Sequence, residues 1–283
     1  MDYKALWAKK KRIGDRFMYL PLYIHLEETG RLAELLWEHW LSPGMREYIR
    51  ETTYPDYDYD LGEDKCKSLI VFLGMIHDIG KSLPNFAYKE NFYNDAELDL
   101  RIREHLEKAG FTFKEAKKNK PIKHNEASQN ILEKYGVNRT ISLIAGAHHG
   151  RPIEGNVYGA MADRASDYFQ TEDKSSDLYR SWEDIHKKLL DLALEKSGFE
   201  SVDDLPILKE NVQVILTGLL IMADWIASNE KYFPLIDLEG KNLGQDRVKQ
   251  GFTKWLEDKT RPWTPKNTNI ETMFEESFAL SPD

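Results

Sequence analysis

Residues 64–81 read DKCKSLIVFLGMIHDIGK. From Leu69 to Ile76 the run is apolar nearly all round, which predicts a central buried helix over 64–79. It ends on His77 and Asp78, and a polar pair beside such a run costs free energy unless something satisfies it. Three partners would do: a His–Asp hydrogen bond capping the helix end, ordered water, or a metal ion.

Working outward, apolar residues recur at helical spacing while strand-like alternation is scarce. Helices are expected over 21–41, 95–109, 125–135 (opened by a capping-type Asn125), 138–149, 179–197 and 208–229, with loops at 42–63, 82–94 and 150–178. Several of these helices carry His or Asp, side chains that borderline divalent metals favour. His148 and His149 close the apolar run NRTISLIAGAHH (138–149), and at about 100° per residue both imidazoles can reach one cavity from a helix end. Asp224 lies deep in LLIMADWIASN (219–229), where an unpaired carboxylate would rather neutralise than stay charged. A cation or an arginine would satisfy it. Ser228, four residues on, shares its face and can hold that carboxylate or a phosphate oxygen. His25, near the start of PLYIHLEETGRLAELLWEHWL (21–41), and His124, at the entry to the 125–135 helix, are ambiguous when taken singly. His39 is 14 residues beyond His25, roughly 21 Å along a helix, so the two cannot share a metal. His105 and His186 sit among charged residues in exposed-looking turns, and all three read as structural.

The 283 residues are 41% hydrophobic and 31% charged, the make-up of a globular chain of one large or two small domains. No uninterrupted apolar run approaches 18 residues and the N-terminus has no secretory core, so no membrane association and a cytoplasmic location are expected. The single Cys66 excludes an intrachain disulfide framework and a thiolate zinc cluster. A net charge of −9 argues against a chain devoted to wrapping nucleic acid, though bound metals would bring their own positive charge to a nuclease site. The basic run at 9–12 reads as a solvated N-terminus, with contact to phosphate as the lesser alternative. Two motif mimics fail. Gly74 to Gly80 before Lys81 and Ser82 places five residues between the glycines where a P-loop needs four. Asp56, Asp58 and Asp60 open like a calcium loop, but Leu61 replaces the turn glycine and Lys67 the bidentate Glu.

Taken in order, His25 with EETGRLAELLW, then HDIGK (77–81), HNEAS (124–128), AGAHHG (145–150) and ADWIASN (223–229) resemble the HD nuclease domain of the CRISPR-associated nuclease–helicase of type I systems. HDIGK alone marks only the wider HD superfamily of metal-dependent phosphohydrolases. The resemblance covers about 20–233. It implies an all-α helical bundle around a central metal site that hydrolyses DNA, preferentially single-stranded. Carried onto this chain, His25, His77, Asp78 and Asp224 would hold one divalent ion. Asp78, His124, His148 and His149 would hold a second, with Asp78 bridging and Lys81 assisting at the phosphate. Four protein ligands per ion leave two octahedral positions for water and phosphate oxygens. Manganese, iron, cobalt or nickel would suit such a donor set.

On this reading 1–260 form one HD-type nuclease domain and 261–283 a linker or tail. Family members continue into a helicase with a P-loop, which these 283 residues lack. The expected partners are therefore single-stranded DNA, a helicase domain or subunit, and an RNA-guided surveillance complex. Tyr54, Tyr57, Tyr59, Phe92 and Tyr93 are candidates for stacking bases. The competing readings are an HD phosphohydrolase of small nucleotides and a non-catalytic helical adaptor with a structural metal.

Overall fold

A computed structural model describes residues 1–91, 94–112, 122–151, 161–240 and 246–258. The 261–283 tail, and Phe92 and Tyr93, lie outside the described residues. The fold is mostly helical with a small three-stranded sheet. Its helices are α1 (Leu22–His39), α2 (Pro43–Thr53), α3 (Tyr59–Ile76), α4 (Pro84–Ala87), α5 (Ala96–Lys108), α6 (His124–Lys134), α7 (Arg139–Ala147), α8 (Ala165–Phe169), α9 (Asp177–Ser197), α10 (Glu210–Ala227) and α11 (Arg247–Glu257). A 3-10 turn, Ile79–Lys81, follows α3.

Helix α3 is the axis of the bundle. Leu69, Ile70, Val71 and Phe72, four consecutive residues that point to different sides of it, are all buried, as its unbroken apolar run requires. It packs against α1, α9 and α10, and α1 also packs against α10. The α1–α3 crossing is backbone on backbone: a Cβ added at Gly74 would lie 2.4 Å from Gly30 Cα and 2.6 Å from Gly30 N. Only a side-chain-free residue fits there. The turn after α3 is equally tight against α6. A Cβ on Gly80 would meet His124 O at 2.0 Å and Ser128 N at 2.5 Å, and the Gly80 N–H donates to Ser128 Oγ at 2.9 Å. The glycine of HDIGK thus allows the turn to approach the helix that opens with His124.

Helix α10 has a mean hydropathy of 1.3 over 18 residues, long and apolar enough by composition to cross a membrane. Here it packs against α1, α3 and α7, with Val212, Leu216, Leu220 and Ala223 inward.

Four expectations need correction. First, the N-terminus is a hairpin: β1 (Trp7–Ile13) pairs antiparallel with β2 (Arg16–Pro21), and β3 (Ile236–Asp237) adds to β2. Gly14 at φ +59 makes the turn. The basic run is therefore a strand, not a free tail. The Lys10 side chain is buried, ion-paired to Asp99 at 2.7 Å and stacked over Trp7. Its aliphatic stem lines apolar surface while the ammonium reaches a partner, so the alternation of the strand is hidden in the lysines. Second, 42–63 is largely helical. Ser42 caps α2 with Pro43 at its first position, but only Ile49 and Arg50 of α2 are buried, so its apolar stripe is thin. Asp58, from the calcium-loop mimic, caps α3 by accepting from the Leu61 N–H at 2.9 Å. Third, short helices interrupt the expected loops at 84–87 and 165–169. Fourth, Asn125, expected to cap α6, lies one residue inside it and donates to Gly146 O at 2.8 Å.

Gly74→Ala should destabilise the fold by about 1–3 kcal/mol, the range for overpacking a tight contact, because the atoms in the way are backbone. Gly218→Ala, in α10 with nothing within 4 Å of the added methyl, should stabilise by about 0.4–1 kcal/mol. Urea unfolding of both variants checks the pair, and a neutral Gly74→Ala would mean that the crossing is looser than described.

Candidate metal centre

Each of the seven histidines and aspartates is delivered by the end of an element. His25 is in the first turn of α1, His77 is the residue after α3, and Asp78 precedes the 3-10 turn. His124 opens α6, His148 and His149 follow α7, and Asp224 lies in the last turn of α10. Asp78 sits at φ −109 and ψ 17, near the sparsely populated bridge region where many active-site residues are found.

The fold gathers all seven. His25, His77, Asp78 and Asp224 form one group of donor atoms within 4.8 Å of one another; His124, His148 and His149 form a second. Asp78 faces both. Its Oδ2 is 3.1 Å from His25 Nε2 and 3.4 Å from His77 Nε2. Its Oδ1 is 3.5 Å from His124 Nε2 and 3.4 Å from His148 Nε2. Asp224 Oδ1 completes the first group at 3.4 Å from His25 and 3.5 Å from His77. In the second group, His124 and His149 approach to 2.7 Å through their Nε2 atoms. The first group is buried throughout, whereas His149 is exposed and His124 partly so. One side of the centre therefore opens to solvent.

The chemistry of the donors fits divalent cations. His77 Nδ1–H donates to Gly74 O at 2.7 Å and His148 Nδ1–H to Ala145 O at 2.6 Å, which turns both Nε2 atoms toward Asp78. Yet His77 Nε2, His148 Nε2 and Asp78 Oδ1 are buried without a hydrogen-bond partner. Buried polar atoms are seldom left so, and a cation in each of the two groups would satisfy all three. Ser228 Oγ–H donates to Asp224 Oδ1 at 3.0 Å, the contact expected from their spacing. Lys81 forms an ion pair with Asp78 Oδ2.

Electrostatics describe the same strain. Burial opposes charge on His77, but Asp78 and Asp224 outweigh it and hold its proton up to about 10. Burial would raise the Asp78 carboxyl, yet Lys81 and His77 keep it well below the usual range. His25 and His77 do the same for Asp224 against its own burial. On the open side burial prevails and pushes His124 down to about 3, and it lowers His149 as well.

The other histidines stand apart. His39 is exposed near Phe252, and His105 packs edge-on against Tyr19. His186 corrects the sequence reading of an exposed turn. It is fully buried on α9, and its Nε2 lies 3.1 Å from Ser82 O, behind the HDIGK turn. Its charged neighbours in sequence point outward while its own face of the amphipathic helix points in. Of the stacking candidates, Tyr57 and Tyr59 are exposed but Tyr54 is buried beneath Tyr57. Lys9 was missed as a neighbour of the centre: it donates to Ser228 O.

Because His77 keeps its proton below about 10, a divalent ion entering the first group must displace it. Metal affinity should then weaken as pH falls and rise with pH through the neutral range. Calorimetric titration with manganese in two buffers of different ionisation enthalpy should show at least one proton released per chain. Binding independent of pH between about 6 and 9 would contradict the arrangement.

Comparison with known proteins places this geometry. The family profile described as "Cas3, HD domain" matches residues 7–233. The CRISPR-associated nuclease/helicase Cas3 of Streptococcus thermophilus is 41% identical over 98% of this chain, which spans 30% of that relative's length. Two solved structures share the fold over all of this chain and 30% of theirs. One is titled as a CRISPR-associated protein (TM-score 0.68, 20% identity) and the other as T. fusca Cas3 with ADP (TM-score 0.60, 21% identity). With four-fifths of its length matched by the profile, the chain belongs to the Cas3 HD-domain family.

Proposed function

We propose that this chain is a metal-dependent nuclease that hydrolyses phosphodiester bonds of DNA, preferentially single-stranded, in type I CRISPR defence. The observation that carries the reading is Asp78, whose two oxygens face two different sets of imidazoles. Such a carboxylate suits a bridge between two ions. His25, His77, Asp78 and Asp224 would hold one and Asp78, His124, His148 and His149 the other, with manganese, iron, cobalt or nickel as candidates. A pair of ions supplies an activated water and neutralises charge on the reacting phosphate.

The chain's own residues have distinct roles in this proposal. Gly74 O and Ala145 O orient His77 and His148, and Ser228 orients Asp224. Lys81, itself buried, reaches Asp78 next to the Phe86 ring, where an ammonium can stabilise charge developing on a phosphate. The exposed flank at His149 admits a polymer that a closed nucleotide pocket would exclude.

The 41% identical relative is named as a nuclease and helicase in one protein, which supports a helicase domain or subunit as partner. An RNA-guided surveillance complex and a cytoplasmic location complete the proposal. A small-nucleotide phosphohydrolase is the alternative, and a panel of nucleotides assayed beside single-stranded DNA separates the two.

Asp78→Ala should lose both ions and all hydrolysis, since each group would keep only three protein donors. Lys81→Ala should instead retain its metal while the rate falls by about 10- to 1000-fold, typical of losing one electrostatic stabiliser. Metal content and turnover measured on the same samples distinguish these outcomes. Metal loss in Lys81→Ala would make that lysine a structural support.

This chain should cut single-stranded DNA slowly, spare blunt duplex, and ignore ATP. A duplex must be opened before its phosphate can enter a centre built of buried helix ends, and no P-loop is present in these 283 residues to power that opening. Efficient cutting of blunt duplex without ATP would overturn the proposal.

A further inference from the structure

The basic strand β1 runs past the metal centre. Its four cations, Lys9 to Arg12, are used differently. Lys10 is paired with Asp99, Lys11 with Glu230 at 3.0 Å, and Arg12 with Glu97 at 2.7 Å. Lys9 has no carboxylate within ion-pair distance among the described residues, and its bond goes to a neutral acceptor, the carbonyl of Ser228. That serine is the one whose hydroxyl holds Asp224. A half-buried ammonium therefore stands at the edge of the centre, linked through Ser228 to the Asp224 carboxylate, without an ion-pair partner of its own.

Burial disfavours the charge on Lys9 and the nearby Lys81 ammonium disfavours it further, while Asp224, Glu230 and Asp78 favour it only in part. Two cations brought toward one another at a rim are costly unless an anion comes between or beside them. Those carboxylates are already engaged, Asp78 and Asp224 by imidazoles and Lys81, and Glu230 by Lys11. Cations bound by Asp78 and Asp224 would leave Lys9 with still less negative charge to face.

We propose that Lys9 binds a backbone phosphate of the DNA strand next to the phosphate being cleaved. The inference rests on the nuclease reading above and adds a contact outside its metal ligands. Lys9 then works with Lys81 on adjacent phosphates, and the hairpin that delivers it is part of the substrate-binding surface. Because a flanking phosphate is its ligand, Lys9 affects polymers and not a diester with a single phosphate.

The test uses Lys9→Gln, which keeps a donor for the Ser228 carbonyl but removes the charge, and Lys9→Arg, which keeps the charge. The protein is loaded with manganese and assayed on oligothymidylate and on bis(p-nitrophenyl) phosphate, which has one phosphate. Lys9→Gln should hold its metal and hydrolyse the small diester at the parent rate. Its KM for the oligonucleotide should rise about tenfold, as for one lost charge-assisted hydrogen bond. Fluorescence anisotropy with labelled oligothymidylate should give a log affinity against log salt slope flatter by about 0.7, one phosphate contact on a single strand. Lys9→Arg should restore both quantities.

A parent-like slope and KM in Lys9→Gln would overturn the inference and leave the nuclease reading intact. Loss of metal, or an equal loss on both substrates, would also overturn it, making Lys9 a strut for Ser228 and Asp224. Should Lys9→Gln fail to fold, Lys9→Met, which keeps the aliphatic stem, takes the same measurements; failure of both makes the lysine structural and ends the proposal. A parent that neither binds nor cuts oligothymidylate would overturn the nuclease reading and this inference together.

Discussion

The contact between Gly30 and Gly74 governs the rest of the molecule. Two helix backbones touch there without side chains between them, so α1 and α3 cross closer than any larger residue would permit. His25 lies five residues before one glycine, and His77 and Asp78 lie three and four after the other. The crossing therefore brings His25 Nε2 within 3.1 Å of Asp78 Oδ2. A second tight contact, Gly80 against the first turn of α6, brings His124 to the other oxygen of the same carboxylate. Close packing fixes these positions because neither contact has a flexible atom that can yield.

The centre so assembled is electrostatically unsettled by itself. Asp78 and Asp224 are buried beside His77, whose proton they hold and a cation would displace, and three donor atoms have no hydrogen bond. Burying such groups costs free energy that ion pairing among them only partly offsets. The surrounding bundle offsets the remainder: the principal hydrophobic cluster extends from Ala5 to Trp255 and includes residues of α1, α3, α6, α7, α9 and α10.

Charge is arranged locally in a way the total conceals. The chain carries −9 overall, yet Lys9, Lys11 and Lys81 gather near the 224–230 segment and the centre. A polyanionic strand would be repelled by the average surface and attracted to this rim, and at short range the local field outweighs the net charge because solution ions screen the remainder within about 10 Å. The hairpin has a double role here. It covers the bundle through Leu6, Trp7 and Ala8, and it carries Lys9 to the centre.

The helical class, the buried character of α3 and α10, and the candidate metal residues were all legible in the sequence, because apolar periodicity and polar residues within apolar runs are local signals. His77, Asp78, His148, His149 and Asp224 stand out in that way, and the order of the motifs drew in His25 and His124. Other features depended on tertiary contact. The lysines of β1 read as a solvated run because their stems bury while their ammonium groups reach partners more than 80 residues away, as Lys10 does to Asp99. His186 read as exposed because its sequence neighbours are charged, although helical geometry turns it inward toward Ser82. Helix α2 had its Ser-Pro start but too thin an apolar face. Above all, the facing of Asp78 Oδ1 and Oδ2 toward two sets of imidazoles is set by the approach of four helix ends. Sequence determined which residues have metal chemistry; packing through Gly30, Gly74 and Gly80 decided that they meet, because distances between remote segments are fixed only when their backbones come into contact.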